Sequence, residues 1–188
     1  MNTKSLLPIL VVPVLILLIP AGAMLFKVEG WAWGPGSFVV AWMLLTGVGL
    51  TFKFVTKNSV SAAFRIASGI ALATGLLLVW INAAVGFIGS EDNPANLMYG
   101  GVLLIGAVGA VLARFEPLGM ARALFATAVA QFLVPLVALL FWPSDFSPGF
   151  ARVFGLNTVF ALLFASAGIL FRHSAGWSGA PDREGATG

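Results

Sequence analysis

The chain has no cysteine, one histidine and one tyrosine, and only 9% of its residues are charged. Without thiols there are no disulfides, thiolate metal sites, iron–sulfur clusters or cysteine nucleophiles. The single histidine, His173, lies just past the last apolar run, so neither a bis-histidine haem nor a Ser–His–Asp site can form inside the apolar part. No Asp, Glu, Lys, Arg or His falls deep within any apolar run. Proton- and ion-coupled pumps usually carry an ionisable group at that depth, because the coupled charge needs a partner. Retinal likewise needs a mid-span lysine. No cofactor is expected.

What remains is 60% hydrophobic, with a mean hydropathy of +1.01. A soluble domain carries about 25% charged residues. Too little polar surface is left here to cover a water-facing globule, so the expected solvent is the lipid bilayer. The net charge of +3 does not point to nucleic acid, because the ten basic residues are spread thinly at the ends of apolar runs.

Six apolar runs stand out: Leu6–Phe26, Ser37–Val55, Ala63–Ile88, Leu97–Arg114, Gly119–Trp142 and Arg152–Phe171. Each suits a membrane-spanning helix of roughly 17–25 residues. Short Gly- and Pro-punctuated turns separate them. The runs do not alternate apolar and polar as barrel strands do. The expected fold is an all-α integral membrane bundle of six transmembrane helices over 1–173, followed by a Gly-, Ser- and Ala-rich tail, 174–188, that is expected to be a disordered cytoplasmic extension.

Orientation follows from the basic residues. Lys4, Lys53, Lys57, Arg65, Arg114, Arg122, Arg172 and Arg183 share one side, against Lys27 and Arg152 on the other. This bias places both termini in the cytoplasm. Trp31, Trp33, Trp80 and Trp142 fall near the opposite ends of the spans, as an interfacial aromatic belt should. Met1–Ala23 also has the outline of a signal peptide, ending in Ala21-Gly22-Ala23. Pro8, Pro13 and Pro20, and apolar residues continuing to Phe26, favour a retained first span. Its prolines predict a kinked, lipid-facing helix.

The basic anchors recur: Lys4 to Lys53 and Arg65 to Arg114 each span 49 residues, and Arg122 to Arg172 spans 50. An acid followed by a proline marks each intervening turn: Glu29 and Pro35, Asp92 and Pro94, Asp145 and Pro148. The pattern suggests three similar helical hairpins, although any six-span chain with short loops gives such a period. Small residues at spacing four predict close helix packing: Ala67, Ala71 and Gly75; Gly106 and Ala110; Ala126 and Ala130; Ala161 and Ala165.

Three deep amides carry the candidate chemistry: Asn82, Gln131 and Asn157. Asn82 and Asn157 lie about 9 Å below the end of their spans at 1.5 Å per residue. Such amides must find partners in lipid, and interhelical bonding is the plain reading. The functional alternative is a small polar pocket, flanked by Trp80, for a neutral solute or a lipid-like head group. In the polar loop, Glu91 and Asp92 offer two carboxylates to a cation, too few for a convincing metal site. Asn93-Pro94 predicts a turn, and Asn96 is placed to cap the fourth span.

The stretch Trp80-Ile-Asn-Ala-Ala-Val-Gly-Phe-Ile-Gly-Ser-Glu-Asp-Asn-Pro-Ala-Asn-Leu-Met-Tyr99 resembles a segment of small, uncharacterised multi-pass proteins of bacterial inner membranes, over roughly residues 60–130. That resemblance implies an inner-membrane location and no activity. The leading functional expectation is a non-enzymatic accessory or scaffold subunit of a larger membrane complex. The alternative is a small transporter or channel for a neutral solute or lipid-like ligand. An enzyme is least expected, because no nucleophile–base constellation is present.

Overall fold

The structure, a computed structural model, describes residues 6–28, 33–59, 61–90, 92–143 and 149–177. Six α-helices follow one another: α1 (Leu7–Leu25), α2 (Pro35–Thr56), α3 (Ala62–Val85), α4 (Met98–Leu112), α5 (Pro117–Phe141) and α6 (Phe150–Trp177). A 3-10 turn, Pro94–Leu97, leads into α4. Among the described residues, six helices are long and apolar enough to cross a bilayer. The protein is an all-α, multi-pass membrane protein. The spans close their backbone hydrogen bonds internally, as hydrocarbon demands, except where Pro13 and Pro20 of α1 and Pro135 of α5 each remove one donor.

The chain divides into two compact units, Met1–Phe54 and Val55–Gly188. In the first, α1 runs as one helix through Pro13 and Pro20, with no break at either. Much of α1 is exposed, Leu15, Leu18 and Ile19 among it. Ile9 comes so close to Gly49 of α2 that a Cβ there would lie 2.9 Å from its Cγ2.

The second unit is a four-helix arrangement. α5 lies along α6, α3 packs on α6, and α4 packs on α5. The contacts step down one helix as they climb the next, which is the antiparallel sense that short connections impose. Gly106 and Gly109 of α4 face Thr127 and Ala123 of α5, and Gly168 of α6 faces the Ala121 carbonyl of α5. Small residues let these backbones approach, the dominant means of holding helices together in lipid. Phe64 of α3 meets Phe171 of α6 edge to face at 4.9 Å. Arg65, Arg114, Arg122 and Arg172 all sit at or near helix termini at one end of this unit, the end that carries the α4–α5 turn.

Several boundaries and faces differ from the sequence expectation. The third span stops at Val85, not Ile88, because Gly86 turns the chain at φ 68°. The last helix runs through Trp177, beyond the expected end of the transmembrane part at 173. Ser174, assigned to the tail, is buried, with its hydroxyl donating to the Phe171 carbonyl at 2.7 Å. The rest of the expected tail, 178–188, lies outside the described residues, as do Lys4, Glu29, Trp31 and Asp145. On α5, Ala126 is exposed, and Ala123 and Thr127 form the close face instead. The second and third hairpins also pack differently. α5 and α6 lie along one another, whereas α3 and α4 meet only locally.

Candidate functional site

Two polar assemblies occupy the end of the second unit that holds the α3–α4 connection. The deeper one joins three helices. Gln131 Nε2 of α5 donates to Asn157 Oδ1 of α6 at 2.9 Å. Asn157 Nδ2 donates to the Tyr99 hydroxyl of α4 at 3.0 Å, and also to the Val153 carbonyl at 2.8 Å. Gln131 and Asn157 are completely buried and Tyr99 nearly so. Gln131 Oε1 has no hydrogen-bond partner among the described residues. Hydrocarbon offers these amides no water, so pairing with each other is the low-energy solution.

The shallower assembly is built on Asn96. Its Oδ1 accepts from the Phe87 and Ile88 amides at 3.1 and 3.0 Å. Its Nδ2 donates to the Ile88 and Ser90 carbonyls at 3.2 and 2.7 Å. One side chain thereby satisfies the irregular backbone after Gly86, which is what lets non-helical chain lie inside a membrane protein. The loop consequently folds inward. Phe87 and Ile88 are buried, and Phe87 packs at 4.8 Å from the Tyr99 ring and 5.4 Å from Phe160. They plug the end of the bundle over the Tyr99–Asn157–Gln131 chain.

Asn96 is therefore not the cap expected for the fourth span. Asn93 is the cap, its Oδ1 accepting from the Ala95 amide at 2.9 Å. Sequence placed Asn96 one 3-10 turn too late for that role, because the span begins at Pro94. The cation reading of the loop also weakens. Glu91 lies outside the described residues and Asp92 is exposed. The Asn93 and Asn96 side-chain oxygens that a cation would need already accept backbone amides.

Between α3 and α4 lies an open cleft of about 460 Å³. It is bounded where α3 and α4 touch. At the loop end, Asn82 Nδ2 donates to the Asn96 carbonyl at 3.3 Å. At the deep end, a Cβ on Gly75 would meet Leu103 at 3.4 Å. Leu78, Val79 and Leu103 supply apolar wall, and Asn82 and Asp92 supply polar groups. Asn82 Oδ1 is buried and has no hydrogen-bond partner among the described residues.

The structure thus brings Gln131 and Asn157 together and leaves Asn82 apart. Asn82 lines the cleft, whereas Gln131, Asn157 and Trp80 do not. Trp80 is half-buried. Tyr99 was missed as a member of the network. Its signal was available: the only tyrosine of the chain opens an apolar run, and a buried phenol needs a partner.

No protein-family model matches the chain, and no curated protein or solved structure does either.

Proposed function

We propose that the protein is a non-conducting, non-enzymatic accessory subunit of the bacterial inner membrane, acting through its lateral faces and loop ends on a larger membrane partner. The observation that carries this reading is the closed pairing of Gln131 with Asn157 in the second unit. Gln131 and Asn157 have no exposed surface, they bond to one another, and the α3–α4 cleft does not include them. A solute path needs polar groups that exchange partners along a wetted route. Here Gln131, Asn157 and Tyr99 are bonded to one another across α5, α6 and α4, with Phe87 packed on the Tyr99 ring. What such a chain can offer is therefore on its outside.

The enzyme alternative lacks support in composition. With no cysteine and with its one histidine at the end of α6, a nucleophile and its base have few places to meet. The orientation in this proposal keeps both termini cytoplasmic, on the eight-to-two distribution of basic residues.

Purification in mild detergent followed by native mass spectrometry tests the proposal. The expected result is a stoichiometric protein partner. A lone chain whose proteoliposomes pass a neutral solute, with flux abolished by Gln131→Leu, would replace it with the transport reading. Reporter fusions at Lys57 and Arg114 are expected to report the same, cytoplasmic, side.

A further inference from the structure

We propose that the outer side of the α5–α6 seam holds an anionic phospholipid, its phosphate between the Arg122 and Arg172 guanidiniums and its acyl chains along Val129, Leu162 and Ile169. The contacts of α5 fix where Arg122 points. Ala121 and Phe125 meet Gly168 of α6, while Ala123 meets Gly109 of α4. Met120 and Leu124 are buried. At about 100° per residue, the direction left to Arg122 is away from both neighbours and from the core. Arg122 is exposed accordingly. Phe125, three residues on and against Gly168, sets Arg122 toward the α6 side of that outer face.

Arg172 is placed by the facing helix. A Cβ on Gly168 would lie 3.3 Å from the Ala121 carbonyl oxygen, so that edge of α6 faces α5. Arg172 stands one turn later on the same edge. Ala167 and Phe171 are buried, and Phe171 turns to Phe64 of α3, which marks the core side. Arg172 is thereby left on the outer side, where it is exposed. It lies one turn beyond Gly168, and Arg122 lies one residue beyond Ala121 on the antiparallel helix. Their separation along the seam is about 7–8 Å at 1.5 Å per residue. Two arginine side chains close that span onto one phosphate, the anion whose geometry the planar guanidinium matches.

Charge and depth select the occupant. Among the described residues at this end the one acid is Glu116, before the start of α5, and neither arginine has an ion pair. His173, exposed beside Arg172, adds a ring N–H. The seam therefore offers donors and positive charge. Deeper along it the surface is apolar and open. Val129 follows on the Arg122 stripe of α5, Leu162 and Ile169 lie on the Arg172 side of α6, and all three are exposed. Val129 lies about 10 Å deeper than Arg122, and Leu162 about 15 Å deeper than Arg172, at 1.5 Å per residue. One leaflet contributes about 15 Å of hydrocarbon. A soluble anion would use the arginines and leave this strip bare, whereas a lipid of that leaflet uses both.

The test is native mass spectrometry of the detergent-purified full chain titrated with phosphatidylglycerol or with phosphatidylcholine of the same acyl chains. Both carry the phosphate, but the choline cation offsets it. Phosphatidylglycerol is expected to bind in a saturable one-to-one complex, about tenfold tighter than phosphatidylcholine. Arg122→Gln and Arg172→Gln are each expected to weaken that complex about tenfold with unchanged thermal unfolding. Arg122→Lys keeps the charge without the fork and is expected to weaken it only about threefold. Arg152→Gln removes the same charge from the other end of α6 and is expected to change the affinity by less than about twofold. Equal binding of the two lipids, an equal loss in Arg152→Gln, or displacement of the lipid by an equimolar amount of inorganic phosphate would each overturn the assignment. The result is independent of whether a protein partner copurifies.

Discussion

Gln131 Nε2 donates to Asn157 Oδ1 at 2.9 Å between two side chains with no exposed surface. The pair is asymmetric. Asn157 also holds Tyr99, whereas the Gln131 oxygen is unpartnered among the described residues. Removing Asn157 severs two interhelical bonds and strands the Gln131 amide. Removing Gln131 severs one and strands the Asn157 oxygen, but it also deletes an unmet acceptor, so the count of unpaired buried oxygens does not rise. Interhelical bonds in membranes contribute about 0.6–2 kcal/mol each. Asn157→Leu is expected to cost about 2 kcal/mol and Gln131→Met less than about 1 kcal/mol, read from SDS-titrated unfolding in mixed micelles. Equal costs for the two would count against this asymmetry.

Two glycines near the cleft are expected to respond in opposite directions to alanine. Gly86 has φ 68°, and its Cβ would lie 2.6 Å from the Ser90 carbonyl carbon and oxygen and 2.8 Å from Asn96 Nδ2. Both the backbone conformation and the space forbid a side chain there. Gly86→Ala is expected to destabilise by more than about 2 kcal/mol and to lower the yield of folded protein. Gly100, helical and exposed, has open space around it. Gly100→Ala is expected to be neutral or to raise stability by up to about 1 kcal/mol, because helical glycine sacrifices backbone entropy. A thermal shift of the same sign for both variants would refute the distinction.

The six spans were legible because hydrophobic length is a property of each run by itself, and hydrocarbon admits few backbone solutions. The small-residue face on α4 was legible at Gly106 for the same local reason, while on α6 the close approach falls at Gly168, outside the expected Ala161–Ala165 pair, and on α5 several alanines competed and sequence chose Ala126 over Ala123. Gln131 and Asn157 were legible as polar groups at depth. Their partnership was not, since it depends on how α5 and α6 dock. The Asn96 assembly was least legible. Its four bonds reach back to 87–90 across a turn whose inward fold is set by Gly86 and by Phe87 finding Tyr99 and Phe160. Read along the chain, the loop is the most polar stretch between spans and looks solvated. Its apolar residues turn inward and its amides are consumed in covering backbone.

Asn96 and Asn93 sit three residues apart and should differ greatly in consequence. Asn93→Ala removes one cap bond, to the Ala95 amide, and is expected to cost about 1 kcal/mol. Asn96→Ala strands the buried Phe87 and Ile88 amides and two carbonyls, and is expected to cost about 3 kcal/mol or more. Hydrogen exchange separates them. In Asn96→Ala the Phe87 and Ile88 amides are expected to lose protection while the centre of α5 keeps it. Unchanged protection at those two amides would show that Asn96 is not what holds the plug.

The α4–α5 seam provides a test of packing by compensation. A Cβ on Gly109 would lie 2.7 Å from the Ala123 Cβ, a distance at which one backbone must retreat. Overpacking of this kind costs about 1–3 kcal/mol, against which alanine regains up to about 1 kcal/mol of helix propensity. Gly109→Ala is therefore expected to destabilise by roughly 1 kcal/mol, and Gly109→Leu by considerably more. Ala123→Gly reopens the space from the other side. Combined with Gly109→Ala it exchanges the two residues across the seam without changing their summed volume. The double variant is expected to be more stable than the sum of the single effects by at least about 1 kcal/mol, the sign of direct contact between the positions. Strict additivity in the same unfolding assay would mean that α4 and α5 do not meet at these two residues.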